Sequence, residues 1–260
     1  MTTLATLTDL GVTYHRAPAP ALSGLSLAIE AGEILAVIGE SGSGKSTLAR
    51  AIAGLLPERA KVTGGLAWPG LDGAPRAGRD IGYVFQDPGS SLNPVLTIGE
   101  QVGEGARRHL GLSRHDAREE AVRLLARVHL PEPQRIAGVY PHQLSGGQRQ
   151  RVAIAGAIAA RPRLLIADEV TSALDVVVQA AIVELLVELV RADGMTLIFV
   201  THDLALASGI ADRVAVMAAG HLVEFGRAAE VIAAPKAVET AGLIAAHIDL
   251  TTPPLIGEAT

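Results

Sequence analysis

A chain of 260 residues, 49% of them hydrophobic, is long enough to bury the core of one large domain or two small ones. Its formal net charge of −5 provides no basic field for binding nucleic acid. The absence of cysteine excludes disulfides, thiolate zinc sites and cysteine-ligated iron–sulfur clusters.

Two segments bear on secretion and membrane insertion. Residues 1–10 lack the basic and apolar regions of a secretory signal. The longest apolar stretch, residues 176–190, is interrupted by Gln179, Glu184 and Glu188, whereas a membrane helix needs about 20 apolar residues. We therefore expect a buried helix with a narrow polar stripe there. We also expect a protein that is either soluble or associated with a membrane only through partners.

The first part of the chain reads as short strands that lead to a glycine-rich loop. Residues 34–38 form an apolar run that suits a buried strand, and residues 48–55 read as a helix. Between them, residues 39–47 (Gly-Glu-Ser-Gly-Ser-Gly-Lys-Ser-Thr) match the phosphate-binding pattern G-x-x-x-x-G-K-[ST] without a mismatch. A flexible Gly/Ser linker is the alternative, but it would not require a strand before the loop and a helix after it.

The residue types in this loop suit a nucleoside triphosphate. Its glycines, Gly39, Gly42 and Gly44, let the backbone bend tightly and turn its N–H groups toward an anion. The start of the following helix adds partial positive charge. Lys45 supplies a full charge to the β- and γ-phosphates, and the hydroxyl of Ser46 suits Mg²⁺.

The middle of the chain changes character twice. Residues 62–80 are rich in Gly, Pro and Ala and predict turns between short β segments, followed by a strand at 81–85. Residues 97–160 carry Arg, His, Glu and Leu at helical spacing, with prolines as breaks, and predict a helical insertion.

Two carboxylates follow a third apolar run. Residues 164–167 predict a buried strand, which delivers Asp168 and Glu169 at its carboxyl end, where α/β sheets bind ligands. Asp168 fits the carboxylate that holds Mg²⁺ in a phosphate-loop ATPase, and Glu169 fits the residue that polarises the attacking water. The alternative is that the two acids only cap the next helix.

A second anion site is predicted by residues 144–148, Leu-Ser-Gly-Gly-Gln, at the start of an Arg- and Ala-rich helix. A single chain with one nucleotide loop does not require a second phosphate site, but a dimer in which each chain completes the other's site does require one.

Further apolar runs at 196–200 and 214–217 alternate with helices, so we expect a parallel sheet and an α/β core. The last residues, 251–260, are expected to form a loosely held tail.

These motifs, in this order, resemble the nucleotide-binding subunit of ATP-binding-cassette (ABC) transporters. The family's Walker A loop corresponds to 39–47, its signature motif to 144–148 and its D-loop to 172–175. Gln86 corresponds to the Q-loop glutamine, which senses Mg²⁺ and the membrane partner, and His202 to the switch histidine at the γ-phosphate. Asp168 and Glu169 correspond to the Walker B acid and the catalytic glutamate, and Tyr14 to the aromatic residue that stacks on adenine.

The resemblance implies three groups of site residues. The catalytic group is Glu169, His202, Gln86 and Lys45. The metal-binding group is Ser46, Gln86 and Asp168. The nucleotide-binding group is Tyr14, Gly39, Ser41, Gly42, Gly44, Lys45, Ser46, Thr47, Ser145, Gly146, Gly147, Gln148 and Asp175.

The resemblance also implies the fold and the partners. It implies an ABC nucleotide-binding domain over residues 1–250: a RecA-like α/β phosphate-loop core, an N-terminal antiparallel β subdomain and a helical subdomain at about 97–160. It implies ATP and Mg²⁺ as cofactors. The partners would be a second ATPase chain, identical or paralogous, two transmembrane permease subunits and an extracellular or periplasmic substrate-binding protein. The chain would lie peripherally on the cytoplasmic face of the plasma (inner) membrane.

A finer resemblance concerns the cargo. Residues 85–94, 97–101 and 140–143 are similar to the branch of importers that carry dipeptides, oligopeptides, nickel and related metal chelates. Val170 departs from the proline that the family usually has there. We expect the segment after Gln86 to receive a short permease helix, with exposed side chains at Ser90, Ser91 and Leu92.

Alternatives remain at this stage. Within the family, an ABC exporter or a non-transport ATPase acting in translation or DNA repair is possible, although the chain has neither a second cassette nor a coiled-coil insertion. A phosphate-loop kinase or small GTPase would not need the signature motif. Taken singly, Tyr14 could be a packed strand aromatic, Gln86 a surface amide and His202 part of a helix cap.

Overall fold

The computed structural model describes residues 2–172 and 174–247. The predicted loose tail, 251–260, therefore lies outside the described residues, as does Ala173 of the D-loop segment.

Strands and helices alternate through most of the described chain. The strands are β1 (Thr3–Thr13), β2 (Leu22–Glu30), β3 (Ile34–Ile38), β4 (Lys61–Ala67), β5 (Ile81–Val84), β6 (Leu164–Asp168), β7 (Thr196–Thr201), β8 (Arg213–Ala218) and β9 (His221–Arg227). The helices are α1 (Lys45–Ala53), α2 (Pro88–Ser91), α3 (Ile98–Leu110), α4 (Arg114–Arg127), α5 (Pro133–Ile136), α6 (Gly146–Ile158), α7 (Val176–Asp193), α8 (Leu204–Ile210), α9 (Ala228–Ala233) and α10 (Val238–His247), with a 3-10 turn at Pro141–Gln143.

The chain divides into two compact units. The first unit contains residues up to 74 and from 194 onward, and the second contains residues 75–193.

The first unit contains an antiparallel sheet and a parallel one. In the antiparallel sheet β1 lies between β2 and β4, with Leu7 opposite both Leu27 and Leu66. In the parallel sheet β3 lies between β7 and β8, and all five residues of β3 are buried. An unbroken apolar run is what a central parallel strand needs, because helices cover both of its faces. The strand β9 adds an antiparallel edge to β8.

The second unit holds two parallel strands and most of the helices. Strand β5 pairs with β6, with Ile81 opposite Leu164. The helices α3, α4 and α6, which follow β5 and precede β6 along the chain, pack against one another. Helix α3 begins at a capping box in which Thr97 and Glu100 bond each other's backbone N–H groups, and α6 begins at another.

Helix α7 differs from the expected buried helix at its first turn. Its middle and end bury an apolar face, and Glu184 and Glu188 are exposed as the sequence predicts. Val176 and Val177, however, are exposed to solvent. Hydrophobic residue type alone does not distinguish these two valines from the buried ones. Among the described helices, none combines the length and apolar character needed to cross a membrane.

Candidate functional site

In the first unit, the phosphate loop leaves the carboxyl end of β3 and enters α1. Its backbone requires glycine at two points in particular. Gly39 has φ 152° and a Cβ there would collide with the carbonyl oxygen of Met217; Gly44 has φ 102° and a Cβ there would lie 2.8 Å from the carbonyl oxygen of Ala21. L-residues with a side chain rarely adopt such angles, so the loop shape depends on these glycines. Ser41 and Gly42 lie at the exposed tip.

The lysine of the motif is folded back over the loop. Lys45 is 3% exposed, and its Nζ donates hydrogen bonds of 2.9 Å to the carbonyl oxygens of Gly39 and Glu40. Ser43 Oγ is buried and has no hydrogen-bond partner among the described residues. A buried hydroxyl and a buried ammonium at the start of a helix form a polar environment suited to an anion.

Tyr14 lies beside the loop. It follows β1, is half-buried, and its hydroxyl is 3.1 Å from Oγ1 of Thr47 in α1. This hydrogen bond ties the aromatic ring to the first turn of the helix that starts at Lys45. Two residues predicted to bind nucleotide, Tyr14 and Thr47, are thus brought together.

The candidate switch histidine follows β7, a strand of the same unit that neighbours β3 in the sheet. His202 is exposed and comes directly after β7, which pairs with β3 along its length. The neighbouring Asp203 caps α8, because its Oδ1 accepts a 3.0 Å hydrogen bond from the N–H of Leu206. The helix-cap interpretation therefore applies to the side chain of Asp203.

In the second unit, Asp168 ends β6 in a buried position. It is 2% exposed, and its Oδ2 accepts a 2.7 Å hydrogen bond from the hydroxyl of Tyr83 on β5. Sequence reasoning did not single out Tyr83. The available signal was a tyrosine on the strand that ends next to Gln86, but no local pattern indicates which residue its hydroxyl would contact.

Glu169 leaves the strand in a left-handed backbone conformation, with φ 49°. Its Oε2 accepts a 3.1 Å hydrogen bond from Nε2 of Gln86. Ser172 contacts both of these residues. Its Oγ donates to the carbonyl oxygen of Glu169 at 3.0 Å and lies 3.4 Å from Nε2 of Gln86. The structure thus brings together two predicted site residues and adds Ser172.

The signature segment forms the start of α6. Ser145 and Gln148 make a reciprocal capping box: Ser145 Oγ accepts from the N–H of Gln148 at 3.3 Å, and Gln148 Oε1 accepts from the N–H of Ser145 at 3.0 Å. Gly146 and Gly147 form the first turn. A Cβ at Gly147 would lie 3.1 Å from Cγ1 of Val178, so the turn fits closely against α7.

Asp175, predicted to bind nucleotide, directly precedes α7 in this structure. Its Oδ1 accepts a 3.0 Å hydrogen bond from the N–H of Val178. Gln179 fixes the preceding segment, because its Nε2 donates to the carbonyl oxygens of Thr171 and Leu174 at 2.9 and 3.0 Å.

The segment after Gln86 corrects one expectation. Ser91 is exposed as expected, but Leu92 is half-buried, and Ser90 has no described side chain. The exposed apolar side chains lie further on, at Val95 and Leu96. The prolines that flank this segment restrict its backbone, but they do not determine which side chains point outward.

The residues present fit a nucleoside triphosphate with its divalent cation. Gly39 and Gly44 keep the loop backbone clear of Cβ atoms, and Lys45 brings a positive charge to the start of α1. Ser46 in the first unit and Asp168 in the second each carry an oxygen atom of the kind that Mg²⁺ prefers. The described residues contain no cluster of three or more His, Asp or Glu side chains that could hold a metal ion.

Comparison with known proteins finds one family and several relatives that are similar to this chain. The ABC transporter family model matches residues 22–172. The oligopeptide transport ATP-binding protein OppD of Bacillus subtilis is 41% identical over 257 residues, which cover 94% of this chain and 72% of that protein. The dipeptide transport ATP-binding protein DppD of Haemophilus influenzae is 44% identical, over 88% of this chain and 72% of that protein.

A solved structure resembles the fold. It is the dimeric post-hydrolysis state of an ATP-binding cassette bound to ADP and phosphate, with a TM-score of 0.74 and 32% identity, covering 86% of this chain and 99% of the other. The predicted fold class, an α/β core with an antiparallel β part and a helical part, is confirmed by this similarity and by the elements described above.

Proposed function

The chain belongs to the ABC transporter family, and on that premise we propose that it hydrolyses ATP to energise the import of peptides across the plasma membrane. The observation that carries the proposal is the similarity, over 94% and 88% of this chain, to subunits named for oligopeptide and dipeptide transport. The importer branch that the sequence resembles also carries nickel and metal chelates, so these are alternative cargoes. Cargo itself would be selected by other subunits.

We propose that the phosphate loop binds the nucleotide through backbone N–H groups and the charge of Lys45. Ser41, Gly42, Ser46 and Thr47 complete this contact surface, and the ring of Tyr14 stacks on adenine. The hydrogen bond between Tyr14 and Thr47 supports this placement, because it holds the ring next to the first turn of α1.

The divalent cation would be held by Ser46, Gln86 and Asp168. When bound, it neutralises charge on the phosphate oxygens. Asp168 suits this task, because a carboxylate fixed at the end of a buried strand needs little reorganisation to act as a ligand.

Glu169 is proposed as the residue that directs water in the chemical step. Its carboxylate accepts a proton from the water as the oxygen attacks the γ-phosphorus in line with the bond to ADP, which breaks as the new bond forms. The hydrogen bond from Gln86 orients the carboxylate. His202 would contact the γ-phosphate and stabilise its charge.

The signature residues would act on a second chain. Ser145 caps α6, and Gly146 and Gly147 leave the first turn of the helix without side chains, so backbone N–H groups are accessible to an anion. We propose that these residues, together with Gln148 and Asp175, contact the nucleotide held by a partner ATPase chain.

The proposed assembly contains membrane and extracellular subunits as well as the ATPase chains. Two permease subunits would dock at the helical subdomain, about 97–160, and a substrate-binding protein would deliver cargo from outside. The chain would lie on the cytoplasmic face of the membrane and touch it only through these partners, without binding nucleic acid.

Peptide uptake tests the function directly. In cells from which this chain has been deleted, the wild-type chain should restore uptake of a labelled oligopeptide, and the Glu169→Gln variant should not. The matched control is Glu184→Gln, an exposed glutamate on α7. Normal uptake in the deletion strain, with all paralogous ATPases also removed, would contradict the proposal.

A further inference from the structure

The geometry of the second unit points to an additional residue that serves the ATPase reaction. We propose that Tyr83 is a positioning residue whose hydroxyl orients the carboxylate of Asp168 toward the divalent cation that accompanies ATP. The inference rests on the proposed function, because it presumes that Asp168 acts as a ligand.

The contact between the two side chains is short and directional. The Tyr83 hydroxyl donates to Oδ2 of Asp168 at 2.7 Å, across 85 residues of sequence. That distance is at the usual length of a well-formed O–H···O hydrogen bond. Because Asp168 is 2% exposed, bulk water does not compete freely for the same oxygen.

The strand register explains why a tyrosine at this position reaches the acid. Tyr83 on β5 lies opposite Ile166 on β6, and Asp168 lies two residues further along β6. Since side chains alternate between the faces of a strand, Ile166 and Asp168 share a face, about 6.6 Å apart along the strand. A long side chain that leans along the strand spans this step, and tyrosine ends in a donor.

The ring of Tyr83 is itself held in place. It is half-buried, and its centroid lies 4.5 Å from that of Phe85, with the ring planes tilted by 43°. Phenylalanine would fill the same space and keep the ring contact. What tyrosine adds to phenylalanine at this position is the hydroxyl that bonds to Asp168. Hydrogen bonds to metal-ligating carboxylates fix their orientation, and losing such a bond typically costs about 10- to 100-fold in metal affinity or activity.

A purely structural role makes a different prediction from a positioning role. If the hydroxyl only stabilised the strand pair, its removal would lower the stability of the fold and weaken nucleotide binding equally with and without metal. If it orients Asp168, its removal changes the dependence on Mg²⁺ and leaves metal-free ATP binding intact, because the phosphate loop of the first unit supplies the contacts made by ATP alone.

The experiment measures ATP binding by isothermal titration calorimetry in the full-length chain carrying Glu169→Gln, so that ATP is not consumed. Binding is measured in EDTA and at rising Mg²⁺ concentrations, with and without Tyr83→Phe. We expect the Mg²⁺ concentration for half-maximal enhancement to rise by about 10-fold or more, and the affinity in EDTA to stay the same. Tyr140→Phe is the matched control, since it removes the hydroxyl of another tyrosine, which is partly exposed and stacks on His142.

Several results would overturn the inference. An unchanged Mg²⁺ dependence would do so, as would an equal loss of affinity in EDTA and in Mg²⁺. In a chain that also carries Asp168→Asn, adding Tyr83→Phe should produce no further rise, and a further rise of the same size would show that the hydroxyl acts elsewhere. If the parent chain binds ATP in neither condition, the proposed function fails, whereas normal ATP binding with an unaltered Mg²⁺ dependence removes only the role of Tyr83.

Discussion

Nε2 of Gln86 lies 3.1 Å from Oε2 of Glu169, although 83 residues separate them in sequence. The preceding residue, Asp168 at the end of β6, accepts a hydrogen bond from the hydroxyl of Tyr83. Strand β5 and the segment that follows it thus supply one donor to each of two consecutive acids. Movement of the segment after β5 is therefore expected to change the orientation of Glu169 more than that of Asp168, because Tyr83 is on the strand and Gln86 is beyond its end.

The first prediction concerns Glu169. Glu169→Gln should preserve ATP binding and lower turnover by about 100-fold or more, because a positioned general base is lost. With the partner chain present, the variant should accumulate as an ATP-bound dimer on size-exclusion chromatography with Mg-ATP. Glu184→Gln on α7 should behave as wild type. A variant that stays monomeric and hydrolyses ATP normally would show that Glu169 is not the base.

The second prediction concerns Lys45. Lys45→Ala should abolish hydrolysis and weaken nucleotide binding, because it removes the charge at the phosphates and the bonds from Nζ to the loop carbonyls. Turnover and the affinity for a fluorescent ATP analogue are the measurements. Lys61→Ala, at an exposed position on β4, is the control for loss of one positive charge. Unchanged turnover in Lys45→Ala would refute the phosphate-loop assignment.

The third prediction separates two roles of Tyr14. Tyr14→Ala should raise the apparent KM for ATP by about 10-fold, since stacking of an aromatic ring on a base is worth about 1–3 kcal/mol. Tyr14→Phe keeps the ring and removes the hydroxyl that contacts Thr47, so it should have a much smaller effect. If both variants raise KM equally, the hydrogen bond matters and stacking does not. If neither changes KM, Tyr14 is only a packing residue.

Some of these relationships could be predicted from sequence because they are local. Residues 39–47 form one contiguous loop whose glycines and lysine have fixed spacing, and Asp168 and Glu169 follow directly on an apolar strand. The bond between Tyr83 and Asp168 was not predictable, because it depends on which strands pair and in which register. The exposure of Val177 was not predictable either, since its residue type is the same in the buried part of α7.

The fourth prediction concerns the pH dependence of stability. Burial, the largest influence, raises the pKa of Glu33 above its ordinary value of 4.5, although the N–H of Glu30 and the guanidinium of Arg213 lower it. The folded state therefore binds a proton at Glu33 more readily than the unfolded state does. Its contribution to stability is greatest below pH 4.5 and is lost as the pH rises through the folded-state pKa.

The Glu33→Gln variant isolates this contribution. It keeps an oxygen that can accept the N–H of Glu30 and cannot ionise. Urea unfolding at several pH values should show wild type losing stability relative to the variant as the pH rises from 4.5 toward neutrality. Glu58→Gln, at an exposed position in the same unit, should show no such trend. A stability difference that is independent of pH, or that changes in the opposite direction, would contradict the prediction.

The last prediction concerns coupling to a membrane partner, and it depends on how the segment after Gln86 is held. Gln101 Oε1 accepts the N–H of Asn93 at 2.7 Å, and its Nε2 donates to the carbonyl oxygens of Asn93 and Leu96 at 3.0 and 2.9 Å. These bonds fix the turn and leave Val95 75% exposed. A rigid turn that presents an apolar side chain is suited to contact a partner, because little conformational entropy is lost on binding.

A single cysteine tests this contact in a chain that has none of its own. In native membranes, a short thiol-reactive photocrosslinker on Val95→Cys should capture an integral membrane subunit, identified by mass spectrometry. Val238→Cys, at an 84% exposed valine on α10, is the control for exposure and residue type. Gln101→Leu removes the bonds that hold the turn, so it should reduce capture from Val95→Cys and lower peptide uptake while leaving much of the basal ATPase activity. Capture of a ribosomal or DNA-bound partner instead of a permease would contradict the importer assignment, and equal capture from both cysteines would show that exposure alone explains the result.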